Sequence, residues 1–468
     1  MTQIRAIARA AATLAALLIL GCGGGGGGGG AASSSAPTAS ISASPTSVSA
    51  GGLGTLTWAA TNVNNCNALG AWFGSVNQTG SKSIGPLFAT SAFSLSCSGP
   101  NGSASASANV RVNVTSGQVP LTHTILANGI GAWAKAFANL DGDARLDVVV
   151  SGGSVLSEGI YWYRGSDNQR FQISATGGGE DLHVVDVNND GLPDVIGAGG
   201  LAWYQNPGLT QVTGLWTVHP IDSALTAHEI VSADMNNDGL VDIVAQAAVG
   251  GAITVYLQNP LDVWTAVTVL STASLGLALA KIDSDNNTDI VGNGFWLRNP
   301  GNPTTLPWQS TTIDASAPGA PGGSSVQAAD LNGDGRVDVV FAPSEVGSGK
   351  LVWYEAPINP AISANWIRHE LLDVVNVHAM RIADMDKDGK RDIVFAEMFT
   401  SQTPELRIGI LSNNGTGTWP LQVVTNTGSH NLDIGDVDND GWLDIVGSVQ
   451  VTDSPDGGAL SIWFGGRN

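Results

Sequence analysis

The sequence predicts an all-β chain: a seven-bladed β-propeller preceded by a small β-sandwich. Three observations carry this expectation. An acidic nine-residue motif recurs seven times, at intervals of 47 to 54 residues, and a fixed period in that range means a propeller or a solenoid. Each copy follows an apolar-alternating run and precedes a β-branched run, so each reads as the turn of a hairpin. Two more strand-like runs follow every hairpin but the last, which makes four antiparallel strands per repeat, the content of one propeller blade.

Residues 1–22 read as an export signal, with Arg5 and Arg9, an apolar run from Ala10 to Leu20, and Gly21-Cys22. The run is too short to span a bilayer as a helix. Ile19-Leu20-Gly21-Cys22 resembles the bacterial lipobox, which implies lipidation of Cys22 as the mature N-terminus. The octaglycine that follows suits a tether, and the residue after the cysteine is not Asp, which in lipoproteins implies the outer membrane, on its periplasmic or its surface-exposed face. An ordinary cleaved signal is the alternative. Residues 23–36, glycines then Ala, Ser and Pro, form a flexible linker without a core.

Residues 37–115 are rich in Ser, Thr, Val, Asn and Gly, with short alternating runs such as "GTLTWAAT", "FSLSC" and "ANVRVNV". They read as the sandwich, and "SPTSVSAGG…LTW…C…LSC" resembles bacterial immunoglobulin-like domains. Trp58 precedes Cys66, so the core tryptophan between two cysteines is not clearly matched, and Trp72 is a stand-in. Cys66 and Cys97 are the two cysteines left after Cys22, and in an exported chain they suggest a disulfide. A spacer is the expected role.

Residues 120–468 hold the repeats. The acidic motifs are "NLDGDARLD" (139–147), "DVNNDGLPD" (186–194), "DMNNDGLVD" (234–242), "KIDSDNNTD" (281–289), "DLNGDGRVD" (330–338), "DMDKDGKRD" (384–392) and "DVDNDGWLD" (436–444). The third strands are often aromatic ("IYWYRG", "LAWYQN", "KLVWYEA"). The fourth often begin with Trp and carry an aliphatic residue five positions later, from Trp216/Ile221 to Trp419/Val424, with Phe171 in place of Trp in the first repeat. The last repeat runs out after three strands. Residues 121–127, "LTHTILA", fit the missing fourth and are expected to pair with 459–465, closing the ring and removing two open sheet edges.

All 40 acids of the chain lie beyond residue 120, against 19 basic residues in the whole chain, for a net charge of −21. This disfavours nucleic acid and anionic membrane and favours cations. More than half of the acids sit in the seven motifs. Asp or Asn at positions 1, 3 and 5, Gly at 6 and Asp at 9 is the pattern of a tight oxygen cage for Ca2+. The expected ligands are Asn139, Asp141, Asp143 and Asp147; Asp186, Asn188, Asp190 and Asp194; Asp234, Asn236, Asp238 and Asp242; Asp330, Asn332, Asp334 and Asp338; Asp384, Asp386, Asp388 and Asp392; Asp436, Asp438, Asp440 and Asp444. An EF-hand is excluded, because position 12 holds Ala245, Gly197, Phe395 or Gly447 and the flanks have strand period. Loop four, with Lys281 at position 1 and Asn286 for the glycine, is expected to bind no calcium, the ammonium standing in for the ion. Loop one, with Asn139 and a left-handed Ala144, is expected to bind more weakly. An ordinary Asn/Asp/Gly hairpin turn is the alternative for any single copy.

These repeats resemble the FG-GAP/VCBS family of integrin-α-like calcium-loop propellers, over about 350 of the 468 residues. The resemblance implies the fold, calcium between the first and second strands of each blade, and adhesion or ligand binding as frequent uses. It does not imply one activity.

Six residues before each loop, at the entry of the innermost strand, stand Trp133, Glu180, His228, Leu275, Ser324, His378 and His430. Those entries surround the channel mouth opposite the calcium face. Trp133, Glu180, His228, His378 and His430 are the candidate ligand-binding residues, and His228, His378, His430 and Glu180 are the candidates for acid–base work. Asp181, Glu229, Arg381 and Asp433 are their expected neighbours. Solvated or turn-capping side chains are the alternative. His219 and His369 read as surface residues, and the pairs Trp162/Tyr163, Trp203/Tyr204 and Trp353/Tyr354 as blade packing. The leading expectation is a lipid-anchored, calcium-stabilised module of the bacterial envelope that binds carbohydrate or an envelope or extracellular protein without catalysis, and that meets the membrane through its N-terminal lipid only. The alternatives are a carbohydrate-active enzyme of lyase or dehydratase type and an envelope scaffold.

Overall fold

The computed structural model describes residues 35–115, 117–130, 132–152, 159–316, 323–345, 347–398, 406–448 and 458–466. The expected signal, Cys22 and all but the end of the linker lie outside them. Among the described residues the chain is strand and turn, with one 3-10 turn at Ser363–Asn365.

Six antiparallel sheets follow one another, each made of four consecutive strands. The first contains Ala134–Ala138, Asp147–Ser151, Ile160–Tyr163 and Arg170–Ser174. The β-branched second strands are buried along all or nearly all of their length, as Asp194–Gly197 and Asp289–Gly292 illustrate. A strand covered on both faces reads as a continuous apolar run. The outer strand Trp264–Leu270 instead alternates between buried and exposed positions, the period-two signature of one solvated face. Four of the tryptophans assigned to fourth strands stand just before them. Trp216, Trp308 and Trp366 are buried there and donate their indole N–H to Val212, Pro303 and Pro360 carbonyls.

The last three strands, Asn431–Gly435, Asp444–Ser448 and Leu460–Gly465, are completed by Leu121–Ala127, which runs antiparallel to Leu460–Gly465. The seven first strands touch in chain order, and Asn431–Gly435 touches Ala134–Ala138. Side chains stitch this circle. Asp181 accepts the Ile230 N–H at 2.8 Å, and Asp433 accepts the Phe137 N–H at 2.9 Å across the closing seam.

Before the repeats, Thr38–Ser44, Gly52–Thr61 and Thr79–Leu87 form one sheet, and Ser47–Ser49, Gly102–Asn113, Thr90–Gly99 and Asn65–Gly70 form another. They share a core that includes Leu56, Trp58, Phe93 and Leu95. Trp72 packs edge-on against Trp58 at 5.1 Å. The Cys66–Cys97 disulfide joins directly paired positions on neighbouring strands of one sheet, so it does not tie the two sheets together.

Leu121–Ala127 is bonded on both sides, because Thr90–Gly99 also pairs with it, in parallel. Beside it, the Val119 N–H and carbonyl each bond the Gln422 side-chain amide at 2.8 Å. His123 lies inside this junction, stacked on Trp463 at 5.1 Å, and burial lowers its pKa to about 4. The folded ring therefore stays neutral where an unfolded histidine, near 6.5, takes up a proton. Linkage then requires stability to fall as pH drops from about 6.5 to about 4. Denaturant unfolding across that window should show a shallower acid loss for His123→Phe than for the wild type.

Candidate functional site

Functional side chains gather at the two ends of the first strands. At one end lie the seven acidic loops. Their ninth residues, Asp147, Asp194, Asp242, Asp289, Asp338, Asp392 and Asp444, are wholly buried. Each accepts two backbone N–H groups, one from position 2 of its own loop and one from the end of the third strand. For Asp194 these are Val187 at 3.0 Å and Asn206 at 2.8 Å. The same pair recurs at Asp289, with Ile282 and Asn299. Third-strand amides then reach the preceding repeat: Asn206 donates to the Leu140 carbonyl, Gln258 to Val187, Asn299 to Met235 and Asn413 to Leu331. Each loop is thus a junction between strands and between repeats.

Five loops share one backbone form. Positions 4 and 6 both take positive φ, as at Asn189 (59°) and Gly191 (87°). Nothing lies within 4 Å of the point where a Cβ on Gly191, Gly239, Gly335 or Gly389 would stand, so the backbone angle and not space selects glycine. The position-1 carboxylate accepts the N–H groups of positions 5 and 6, at 3.1 and 2.8 Å for Asp186.

Loops one and four depart from this form, and not in the way expected. Ala144 does not take the left-handed conformation; loop one keeps only Gly142 (71°). Asn139 turns its amide N–H to the Asp143 carbonyl, and its buried Oδ1 has no hydrogen-bond partner. In loop four Lys281 bonds the Asn286 amide at 2.8 Å, and the cation among the carboxylates is Arg298 from the third strand, at 2.6 Å from Asp283 and 3.0 Å from Asp285. Arg164 occupies the matching place in repeat one, 3.0 Å from Asp141.

The donor set fits calcium in the five regular loops. It is all oxygen, the chemistry Ca2+ selects. Oxygens of Asp384, Asp386 and Asp392, and of Asp436, Asp438 and Asp444, lie within 4.8 Å of one another. Burial pushes the ninth-position carboxyls up to about 6 in loop two and about 7 in loop seven, and the neighbouring loop carboxylates add to it against the bound N–H groups. A dication offsets both costs.

At the other end, the structure brings Trp133, Glu180, His228, His378 and His430 together although they come from five repeats. Trp133 stacks on His430 with ring centroids 5.7 Å apart, His430 lies tilted against His378 at 4.1 Å, and His378 lies 5.5 Å from His228. His228 Nε2 is 3.7 Å from Glu180 and 3.6 Å from Glu345. Glu180, His228 and His378, but not Trp133 or His430, line a cavity of about 300 Å³ to which all seven first strands contribute. Asp181, Glu229, Arg381 and Asp433 line it too, with Arg381 and Asp433 paired at 2.9 Å.

The electrostatics follow from burial. Burial raises Glu229 to about 7, against the nearby His228, and lowers Lys135 to about 7 and His183 to about 4. His430 is held well below 6.5 by burial and by His378. Burial would lower His228 as well, but Glu345, Glu229 and Glu180 outweigh it and lift the ring to about 9. His228 and His378 in turn hold Glu345 below the usual carboxylate range.

Lys135, His183 and Glu345 escaped the sequence reading. Lys135 and His183 stand on first strands but off the six-before-the-loop position. Glu345 lies in a turn between the second and third strands, outside any repeat position. The residues expected on the flanks stay there. His219 stacks on Trp203 at 4.1 Å and His369 on Trp353 at 4.2 Å, while Trp162 and Trp203 are buried and leave no face for a ligand.

A model of the FG-GAP-like repeat matches residues 139–197, 186–245, 282–341 and 366–447, together more than half of the chain. No curated protein matches. Among solved structures, the chain is similar to a quinonprotein alcohol dehydrogenase-like protein from Bacteroides thetaiotaomicron, at 12% identity and a TM-score of 0.42, over 81% of this chain and 94% of that one. It is similar to a chain of a humanized mutant of the Chaetomium thermophilum Polycomb Repressive Complex 2, at 11% and 0.36, over 60% and 70%. It is similar also to the AfRom2 CNH domain, at 12% and 0.40, over 74% and 100%. These likenesses are too distant to speak to function.

The loop geometry separates two roles for the aspartates. Asp289→Ala should destabilise by about 2 kcal/mol or more with or without calcium, since it strands two buried N–H groups. Asp186→Ala should cost more in calcium than in chelator. Denaturant titrations of both variants in each buffer check this.

Proposed function

From the premise that the chain belongs to the FG-GAP-like repeat family, we propose a seven-bladed, calcium-stabilised propeller that binds carbohydrate at its channel mouth. The observation that carries this reading is the convergence of Trp133, the three histidines and Glu180, of which Glu180, His228 and His378 line a charged axial cavity. A half-buried indole, linked through the neighbouring histidine rings to a cavity lined by carboxylates and a guanidinium, suits a sugar, whose ring faces stack and whose hydroxyls need paired donors and acceptors. The seven-blade count is supported by six four-stranded sheets plus the set completed by Leu121–Ala127, and by the closed circuit of first strands. Calcium occupies the five loops with two left-handed positions, while Arg164 and Arg298 take the cation's place in loops one and four.

The two N-terminal sheets act as an immunoglobulin-like spacer. Sequence features alone support the rest: a lipid on Cys22 and the glycine linker hold the module at a bacterial outer membrane, on its periplasmic or its surface-exposed face. One observation favours a second reading, a carbohydrate-active enzyme. Glu229 and Lys135 share the cavity and both titrate near 7, the range in which a side chain serves as acid and base.

The mature protein in calcium should be assayed against neutral and acidic polysaccharides for both retention and product formation. Saturable retention, weakened about tenfold or more by Trp133→Ala, is the expected result. Turnover lost in Glu229→Gln would establish the enzyme instead, and neither retention nor turnover would remove the carbohydrate reading.

A further inference from the structure

His228 and His378 carry ring nitrogens that the fold leaves unanswered. Their side chains are only 7% and 6% exposed. Neither nitrogen of His228 and not Nε2 of His378 makes a hydrogen bond. Buried polar atoms without partners are rare, and each calls for a reason. Both Nε2 atoms face the same oxygen, Oε1 of Glu345, at 3.6 Å, which is too long for a hydrogen bond. Glu345 reaches them from a turn where its φ is 62°, a costly angle for a residue with a Cβ. A strained backbone that aims a carboxylate at two buried imidazole nitrogens without bringing it to hydrogen-bond distance points to something held between them.

We infer that His228 Nε2, His378 Nε2 and a Glu345 carboxylate oxygen form a site for one divalent transition-metal ion of the zinc type. One ring nitrogen of each histidine and a Glu345 oxygen lie within 4.8 Å of one another. Zinc binds imidazole nitrogen and carboxylate oxygen at about 2.0–2.2 Å, so two ligands of one tetrahedral ion stand roughly 3.3–3.6 Å apart. The observed 3.6 Å separations match this. Two imidazoles with one carboxylate suit zinc and its neighbours, whereas the all-oxygen loops suit calcium. The two metals are thus sorted to opposite ends of the first strands by donor chemistry. Three protein ligands leave a fourth position, and the cavity that His228 and His378 line lies beside it. An open position of this kind holds water or a ligand group. The site does not depend on the carbohydrate reading, since metal binding is measured without any sugar.

Zinc chloride should be titrated calorimetrically into the whole mature chain in excess calcium, which keeps the loops filled. One zinc per chain is expected, undisturbed by the calcium. Glu345→Gln and His378→Ala should each weaken it at least about tenfold, while His219→Ala and His369→Ala on the outer strands leave it unchanged. Glu345→Gln changes an exposed turn residue to its isostere, so it decides the question even if His378→Ala fails to fold. No zinc binding, binding indifferent to Glu345→Gln, or binding abolished by His219→Ala or His369→Ala would overturn the site and leave an ion-paired cluster.

Discussion

The structure depends on what happens to carboxylates crowded at the turn between first and second strands. Seven buried aspartates close the loops by taking two backbone N–H groups each, and this bond set recurs even in loop four, which departs from the calcium pattern. The ninth-position Asp is therefore first a structural clamp. The other acids of the loop follow from it, because a fixed, buried carboxylate gathers a cage only if positive charge comes with it. Arg298 supplies that charge in loop four and Arg164 contributes it in loop one. Five loops have no third-strand cation among their carboxylates, and there a divalent ion is the physical answer the account proposes.

With the loops fixed, the other end of each first strand is fixed as well. A first strand of four to seven residues carries the register from cage to mouth, so residues six positions before the loops gather around the axis. This is how Trp133, Glu180, His228, His378 and His430, far apart in sequence, come into one cluster. The mouth is polar and buried at once, and for that reason its groups titrate far from their usual ranges. Stability held at the loops leaves the mouth free to hold unsatisfied and strained groups.

Period and polarity were legible in the sequence. The 47-to-54-residue spacing, the β-branched second strands and the acidic turns yielded the all-β, four-stranded repeats, because backbone pairing depends on local pattern. The disulfide between Cys66 and Cys97 was legible too, although the bond joins adjacent strands of a single sheet. What stayed hidden needed distances between repeats. Lys281 was expected to stand among the loop-four carboxylates, but Arg298 from the third strand reaches them and Lys281 turns to Asn286. Ala144 was expected in a left-handed turn, but the backbone of loop one goes another way. Glu345 had no repeat position to mark it, and only the fold carries its turn over His228 and His378.

The most direct measurement is thermal unfolding of the mature protein against free calcium, with elemental analysis of the bound metal. Ligand bound only to the folded state raises the melting temperature with concentration. A continuous rise with calcium and close to five calcium ions per chain are expected. A melting temperature indifferent to calcium and chelator, with no bound calcium, would contradict it.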